Sequence, residues 1–245
     1  MRNLTHTRAY DSFPAWSPDG KRIVFVSDEK AVGKLWIVHA DGRALRRLTR
    51  GKSKVADPAW SPGGSLIAYA STAKPAGIWV VRPNGTHARP LARRGVGGGA
   101  PSWSPNGKRI AFAARCDQDQ LHTCLHVINA NGTQKRQLTQ PSNDDDWAPA
   151  WSPDGRTIVW IRGPELWTMN ADASSPHKLH PGGDWPDDSP PYDTYPSWSP
   201  DGSRIVFGTT YSPSGLAVVE RDGSGFSPVA GGMIRDGIYP AWRPR

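Results

Sequence analysis

The chain has 245 residues, a formal net charge of +8 and a sequence pI near 9.7. No window approaches the roughly 20 apolar residues of a membrane-spanning helix, and no signal peptide is visible. Twelve Trp residues argue against a disordered chain in spite of 26 Gly and 24 Pro, because burial of large aromatic side chains offsets the entropy lost on folding.

The first elements of the chain predict a strand that ends one repeat, followed by a complete repeat. Residues 1–6 contain MRNLT, which matches the later segments RRLTR and RQLTQ. Pro14 then opens PAWSPDG, in which Pro presets φ and Gly tolerates a positive φ. The apolar, β-branched runs RIVFVS and KLWIVHA follow, and the hairpin signal Asp41-Gly42 separates them from RRLTR. These signals predict four consecutive strands joined by tight turns.

The same pattern returns four more times along the chain. Its anchor tryptophans are 43 to 48 residues apart, a period typical of β-propeller blades; they are Trp16, Trp60, Trp103, Trp151, Trp198 and Trp242. The predicted repeats span about 14–57, 58–100, 101–148, 149–195 and 196–239. The fourth repeat has Asp172-Ala173 in place of a Gly-containing hairpin dipeptide, so we expect a different turn type there.

The repeat resembles that of TolB-type, WD-repeat-like β-propellers. The resemblance rests on Pro-x-Trp-Ser-Pro-Asp-Gly-Lys-x-Ile-x-Phe, then Leu-Trp-Ile-Val, an Asp-Gly turn and Arg-x-Leu-Thr, and it covers essentially the whole chain. It implies one all-β propeller domain over residues 1–245, commonly with six blades, in a periplasmic or extracellular protein that binds partners. It does not by itself imply an activity, because one fold carries many functions.

The two ends of the chain predict a sixth, incomplete blade. Residues 1–6 supply its last strand, and residues 240–245, PAWRPR, supply its first strand. We therefore expect five complete four-stranded blades and one blade split between the termini, with Met1 as an internal methionine of a longer reading frame. A ring of five blades with short tails is the alternative.

Cys116 and Cys124 flank the hairpin loop between the second and third strands of repeat three. A disulfide and two free thiols both stay open, and an exported protein would favour the disulfide. A zinc site with His122 and His126 is not expected, because alternate residues of a strand are about 7 Å apart. His126 instead occupies the place of a packing tryptophan in the sister repeats.

The densest basic runs, residues 43–54 and 89–94, fall on predicted outer strands. Charges there deter edge-to-edge aggregation, which is the interpretation we favour over an anionic partner. We expect no nucleic-acid partner, because no aromatic stacking platform lies among the basic runs.

The loops before each anchor proline carry most of the distinctive carboxylates and aromatic rings. A propeller places equivalent loops around one axis, so these groups should converge on one channel mouth and bind a cationic group there. Each Asp has an alternative role in capping its own turn. The candidate binding residues are Asp11, Asp57, Asp146, Trp147, Trp185, Asp187, Asp193, Tyr195, Asp236 and Tyr239.

No G-x-S-x-G, P-loop, H-E-x-x-H or CxxC motif is present in the sequence. The leading prediction is a monomeric, non-enzymatic scaffold that binds a protein or peptide with a basic segment and uses no cofactor or metal. Two alternatives stay open: a glycoside hydrolase or lyase with Asp146 and Asp193 as acid and base, and the propeller domain of a larger peptidase.

Overall fold

The computed structural model describes residues 4–6, 8–28, 32–91, 98–179, 193–209, 215–229, 240 and 242. It shows five antiparallel, four-stranded sheets in a ring, and each sheet is a meander whose strand order follows the chain. The predicted all-β propeller with five complete blades is thereby confirmed. Within the described part of the chain, no helix has the length and apolarity needed to cross a membrane.

Each blade runs from an innermost strand at the channel to a short outermost strand. Blades 1 and 2 contain β1 (Asp11–Trp16), β2 (Arg22–Ser27), β3 (Lys34–His39), β4 (Arg46–Arg47), β5 (Val55–Trp60), β6 (Ile67–Ser71), β7 (Gly77–Val81) and β8 (Arg89–Pro90). Blades 3 to 5 contain β9 (Gly98–Trp103), β10 (Arg109–Arg115), β11 (Thr123–Asn129), β12 (Arg136–Gln137), β13 (Asp146–Trp151), β14 (Thr157–Arg162), β15 (Glu165–Asn170), β16 (His177–Lys178), β17 (Asp193–Trp198), β18 (Arg204–Thr209), β19 (Gly215–Glu220) and β20 (Ser227–Val229).

The innermost strands begin three residues earlier than the sequence suggested. In blade 1, Ser12 pairs with Val26 and Ala15 with Val24, so Phe13 and Pro14 together face a single residue of β2. This β-bulge recurs in all five blades. It lets a proline, which has no N–H to donate, sit inside a strand. Asp11, Asp146 and Asp193 therefore belong to strands, and their assignment to loops was wrong.

The turn after each innermost strand is closed by the serine that follows the anchor tryptophan. The Ser17 hydroxyl accepts a hydrogen bond from Arg22 N at 2.9 Å and donates one to Asp19 Oδ1, while Gly20 N donates to Ser17 O. Equivalent serines are buried in every described blade. The turn predicted from the repeated Ser-Pro-Asp-Gly motif is therefore present in the structure.

The hairpin turn of blade 4 is of the same kind as the others, so the prediction of a different type was wrong. Ala173 N donates to Asn170 O, as Gly42 N does to His39 O in blade 1. The φ of Ala173 is +77° and that of Gly42 is +88°. Tertiary packing thus holds an alanine in a conformation that its own preference disfavours.

The core is divided into layers between neighbouring blades. Val24, Leu35 and Ile37 of blade 1 pack against Ile67 and Tyr69 of blade 2, and comparable clusters join the later blades. In blades 1 to 4 a buried leucine after the outermost strand closes the layer; these residues are Leu48, Leu91, Leu138 and Leu179. Burial in these layers, at roughly 25 cal/mol per Å² of apolar surface, holds the blades in register.

Three anchor tryptophans also tie their blade to the one before it, whereas the buried Nε1 of Trp151 in blade 4 has no hydrogen-bond partner among the described residues. Trp60 Nε1 donates to Ala15 O at 3.2 Å, and Trp103 Nε1 and Trp198 Nε1 make the matching bonds to Ala59 O and Ala150 O. Trp242 Nε1 donates to Ser197 O at 3.2 Å in the same manner. Leu4 packs against Ile23 and Phe25 of blade 1. Both terminal contacts are those that a sixth blade requires, but most of residues 230–245 lies outside the described residues, and the split blade stays a prediction.

Candidate functional site

The residue before each anchor proline lies at the channel in a left-handed backbone conformation. Its φ is +52° at Phe13, +51° at Asp57, +48° at Ala100, +49° at Ala148 and +44° at Tyr195. We call these five residues the channel ring. The left-handed region costs a non-glycine residue about 1–2 kcal/mol, so the surrounding sheets determine these positions against local preference.

The channel ring surrounds a cavity of about 340 Å³. All six anchor prolines line it, one from each of the five blades and one from the C-terminal segment; they are Pro14, Pro58, Pro101, Pro149, Pro196 and Pro240. Equivalent positions separated by more than 40 residues in sequence therefore meet around one axis. The lining is largely apolar, which makes the few polar groups within it decisive for recognition.

Asp57 is the one carboxylate among the described residues that line this cavity. Its Oδ2 accepts a hydrogen bond from the backbone N–H of Ala100 at 2.9 Å, whereas its Oδ1 is buried and has no partner among the described residues. Burial raises the pKa of Asp57, and the Ala100 N–H opposes this only in part. A carboxylate with an unsatisfied buried oxygen is costly, so the site is suited to a donor from outside the chain.

Asp57→Asn is expected to raise the free energy of unfolding at pH 7, because asparagine can still accept from Ala100 N–H without a buried charge. The pKa of Asp57 is higher in the folded state than its unfolded value near 4. The stability associated with its protonated form is therefore fully present below about pH 4 and is lost as the pH rises through the folded pKa. Urea titrations of both proteins at several pH values measure the difference.

The advantage of Asp57→Asn should be present at pH 7 and absent below about pH 4. Asp41→Asn is a matched control, because Asp41 is 56% exposed in the blade 1 hairpin turn and Asn84 and Asn131 hold the same place in blades 2 and 3. A loss of stability at pH 7 in Asp57→Asn alone would contradict the assignment of a destabilising carboxylate.

Three aromatic rings from three blades meet at the channel, and two of them, Phe13 and Tyr195, belong to the channel ring. The ring of Tyr195 makes edge-to-face contacts with Phe13, at 5.8 Å between centroids, and with Trp147, at 5.3 Å. We call these residues the aromatic trio. Faces of such rings attract cations. The trio therefore adds an apolar, electron-rich surface next to the unsatisfied carboxylate.

Asp146 is placed elsewhere, inside blade 4. It is 1% exposed, its Oδ1 accepts hydrogen bonds from Trp160 Nε1 at 2.8 Å and Arg162 Nε at 2.7 Å, and its Oδ2 accepts from Arg162 Nη2 at 2.9 Å. The carboxylate holds the pKa of Arg162 above its usual value. The Arg162 guanidinium also lies over the rings of Trp160 and Trp167. Asp146 is thus engaged within the blade and does not line the cavity.

The remaining candidates are partly placed. Asp11 Oδ2 accepts from Thr5 Oγ1 at 2.7 Å, which ties the N-terminal segment to β1, and Asp11 does not line the cavity. For Asp193 the structure describes the backbone in β17 without the side chain. Trp185, Asp187, Asp236 and Tyr239 lie outside the described residues, so their roles stay predictions.

No metal site was expected, and among the described residues no group of three or more His, Cys, Asp or Glu side chains could hold an ion. Cys116 and Cys124 form a disulfide that joins the ends of β10 and β11. His126 is fully buried and stacks on Phe112 at 5.7 Å. It takes the packing role that the sister repeats predicted for it.

The residue directly before the anchor proline lines the channel in each of the five blades. The sequence pattern favoured aspartates three residues before that proline, which lie on another part of the strand, although Asp57 and Tyr195 were also among the candidates. The available signal was the X-Pro step itself, since proline restricts the conformation of the residue before it and the step recurs in every repeat.

Comparisons with known proteins agree with this architecture. The TolB beta propeller domain model matches residues 1–183 of the chain. A protein assigned as TolB from Agrobacterium tumefaciens superposes with a TM-score of 0.75 at 22% identity, covering 92% of this chain and 82% of that one. TolB from Acinetobacter baumannii gives 0.69 at 21% identity, covering 84% of this chain and 52% of that one.

An oligogalacturonate lyase in complex with manganese also has this fold, with a TM-score of 0.65 at 15% identity over 89% of this chain and 65% of that one. At such identities these structural matches show the fold alone. Among proteins with curated functions, none matches this sequence.

Proposed function

Because the chain belongs to the TolB β-propeller family, we propose that it is a non-enzymatic binding protein that accepts a cationic side chain of a protein or peptide partner at the channel ring. The observation that carries the proposal is the buried, unpartnered Oδ1 of Asp57 in a cavity lined by prolines and aromatic rings. A lysine or arginine of the partner would supply the missing donor.

The chemistry of the surroundings favours a cation attached to an apolar or extended segment. The lining prolines and the rings of Phe13 and Tyr195 offer surface for the methylene stem of a lysine or arginine, and the carboxylate offers a charge-assisted hydrogen bond to its end. Such a hydrogen bond contributes about 1.5–3 kcal/mol. The backbone strain in the channel ring holds this surface in place before the partner arrives.

Binding of short synthetic peptides tests this proposal. An array of decapeptides with a single Lys or Arg, and matched peptides with Gln at that position, is probed with the wild-type protein, Asp57→Asn and Asp41→Asn. We expect the cationic peptides to bind the wild-type protein and Asp41→Asn, and to bind Asp57→Asn more weakly by about 10- to 100-fold. Binding should also weaken as the pH falls through the raised pKa of Asp57.

Two results would contradict the proposal. One is equal binding of the Lys and Gln peptides by the wild-type protein. The other is equal loss of binding in Asp57→Asn and Asp41→Asn, which would indicate a general effect of charge. Because Asp57→Asn is expected to fold at least as stably as the wild type, unfolding does not explain a specific loss.

We further propose that the protein works in an exported compartment, the periplasm or outside the cell. The Cys116–Cys124 disulfide supports this, because disulfides persist in oxidising compartments. Free-thiol labelling of protein isolated from its host tests it, with blocked cysteines expected before reduction and two reactive thiols after it. Reactive cysteines in the native protein would contradict the proposal.

A second candidate function, cleavage of an acidic carbohydrate, is favoured by the raised pKa of Asp57 alone, since catalytic acids and bases have such perturbed values. Two carboxyl groups are needed in the usual hydrolytic mechanism, and Asp57 is the sole carboxylate among the described lining residues. Release of unsaturated or reducing ends from polygalacturonate, abolished in Asp57→Asn, would favour this candidate over binding.

A further inference from the structure

A second concave surface lies between blades 1 and 2, away from the channel. It is a groove of about 750 Å³ whose lining includes Arg46, Arg47 and Arg50 from the end of blade 1 and Tyr69 and Trp79 from blade 2. We call it the basic groove. Its volume falls within the range of small-molecule sites, roughly 300–1,000 Å³.

The charge in the basic groove is of one sign. Its described lining contains three arginines and no aspartate or glutamate. None of the three arginines forms an ion pair with a described acidic residue. Arg46 instead reaches across the groove and donates from Nη2 to Pro83 O at 2.5 Å. Three arginines without a counter-charge among the described residues make the groove locally positive.

The inner side of the groove adds a buried lysine. Lys34 is 7% exposed, and its Nζ donates to the backbone oxygen of Ser53, a residue of the groove lining. Burial and then the nearby charge of Arg47 lower the pKa of Lys34. An anion close to Arg47 would relieve this repulsion between like charges.

Tyr69 supplies a neutral donor in the same lining. It is 3% exposed, and its hydroxyl has no hydrogen-bond partner in the part of the chain that the structure describes. Burial raises the pKa of Tyr69 to about 12, so the hydroxyl keeps its proton at neutral pH. An anionic oxygen in the groove would accept this proton in a hydrogen bond.

Protection of the edge strand β4 does not account for these features. Exposed charges are sufficient to deter pairing of edges, and the exposed Arg46 and Arg47 of β4 would serve that purpose on a flat surface. The role requires neither a groove nor a tyrosine and an indole in the groove lining. Together these features form a site for a ligand.

We propose that the basic groove binds a small anionic molecule, in which a phosphate or carboxylate group contacts Arg47, Arg50 and the Tyr69 hydroxyl and an attached ring lies against Trp79. Guanidinium groups match the geometry of both oxyanions. The aromatic side chains provide apolar surface for the attached ring. This inference does not depend on the proposed role of the channel.

Nuclear magnetic resonance titration of the intact protein tests the proposal with defined probes. The probes are phenyl phosphate and benzoate for the ring with either anion, inorganic phosphate for the charge alone, and benzyl alcohol for the ring alone. The readout is the indole N–H signal of Trp79, assigned by its loss in Trp79→Phe. We expect saturable shifts with phenyl phosphate or benzoate, at least about tenfold weaker binding of inorganic phosphate, and no saturation with benzyl alcohol.

Three variants locate the site. Arg47→Gln and Tyr69→Phe should each weaken binding by about tenfold or more, and Tyr69→Phe keeps the ring that packs between the blades. Arg43→Gln is the matched control, because this substitution removes the same charge from the same basic run. The Arg43 side chain is 87% exposed and lies outside the groove. This substitution should change affinity by less than about twofold. Where Arg47→Gln fails to fold, Arg50→Gln replaces it.

Several results would overturn the proposal. One is the absence of saturable binding for both ring-bearing anions. Another is equal weakening of binding by Arg43→Gln and Arg47→Gln. A third is unchanged affinity in both Tyr69→Phe and Arg47→Gln. Binding of polyglutamate without binding of the small anions would assign the groove to an acidic protein segment and would also overturn it. Failure of the cationic peptide experiment leaves these outcomes unchanged, because the variants lie in different parts of the molecule.

Discussion

Gly132→Ala is expected to lower the free energy of unfolding by about 3 kcal/mol. Gly132 lies in the hairpin turn between β11 and β12 with a φ of +90°, and a Cβ at this position would stand 2.1 Å from the backbone oxygen of Leu91. Leu91 is 3% exposed and closes the layer between blades 2 and 3. The substitution therefore strains its own backbone and pushes against the neighbouring blade.

Two other glycines separate the two effects, and thermal or urea unfolding of all three variants measures them. Gly51 has a φ of +86°, and no atom lies within 4 Å of the place that an alanine methyl group would take, so Gly51→Ala should cost about 1 kcal/mol from the backbone alone. Gly85 holds the same turn place in blade 2, with Leu48 O at 3.1 Å, and should be intermediate. Equal losses in the three variants would contradict a role for contact between blades.

Blade 4 supplies the reverse case. Ala173 occupies the matching turn place with a φ of +77° and packs in the cluster that contains Leu138. There the facing blade has room for the methyl group. Ala173→Gly should therefore change stability by less than about 1 kcal/mol, because relief of the left-handed strain is offset by lost packing.

Asp146→Ala is expected to destabilise the protein by about 3 kcal/mol or more. The substitution leaves the Arg162 guanidinium, whose side chain is 17% exposed, without its bidentate partner. It also removes the acceptor of Trp160 Nε1, and Trp160 is fully buried. Urea unfolding at pH 7 and low salt measures the loss.

An exposed ion pair and a double substitution are the controls for Asp146. Glu165→Gln breaks the Lys178–Glu165 pair, in which both side chains are 36% exposed, and should cost less than about 1 kcal/mol. Asp146→Val with Arg162→Ser installs the pair that blade 2 has at Val55 and Ser71. It should recover the part of the stability lost through an unpaired Arg162, while the loss of the Trp160 Nε1 acceptor remains. If Asp146→Ala is at least as stable as Glu165→Gln, the structural role of Asp146 is contradicted.

The Asp146 result also bears on the interpretation of binding experiments. Trp147 follows Asp146 directly and belongs to the aromatic trio. Loss of blade 4 structure in Asp146→Ala would displace that ring and weaken binding without any contact between Asp146 and the partner. Asp57→Asn is the informative variant for recognition, because Asp57 lines the cavity itself.

The repeat made most of the fold predictable. Hydrophobic runs of strand length, Ser-Pro-Asp-Gly turns and a spacing of 43 to 48 residues are local properties of the chain, and each of the five blades is built from local contacts between consecutive strands. Short connections leave few alternatives to a meander. Trp60, Trp103 and Trp198 also matched the predicted packing role of the anchor tryptophans, with indole donors bound to the preceding blade.

The candidate site was less predictable, because its register depends on a bulge. The extra residue in each innermost strand places Asp57 and Tyr195 in the channel and leaves Asp11 and Asp146 outside the cavity lining. A shift of one residue along a strand turns a side chain to the opposite face. Counting back from the anchor proline therefore placed those two aspartates at the channel, whereas neither lines the cavity.

The sequence by itself determined the blade, its turns and the number of complete copies, since these follow from the conformational preferences and apolar pattern of neighbouring residues. The tertiary structure alone decided which side chains share the channel, that Asp146 has Arg162 as its partner, that Ala173 keeps the common turn, and that three arginines surround a groove with Tyr69. These outcomes depend on distances between residues far apart in the chain. Such distances are set by how the blades pack, which no single repeat contains.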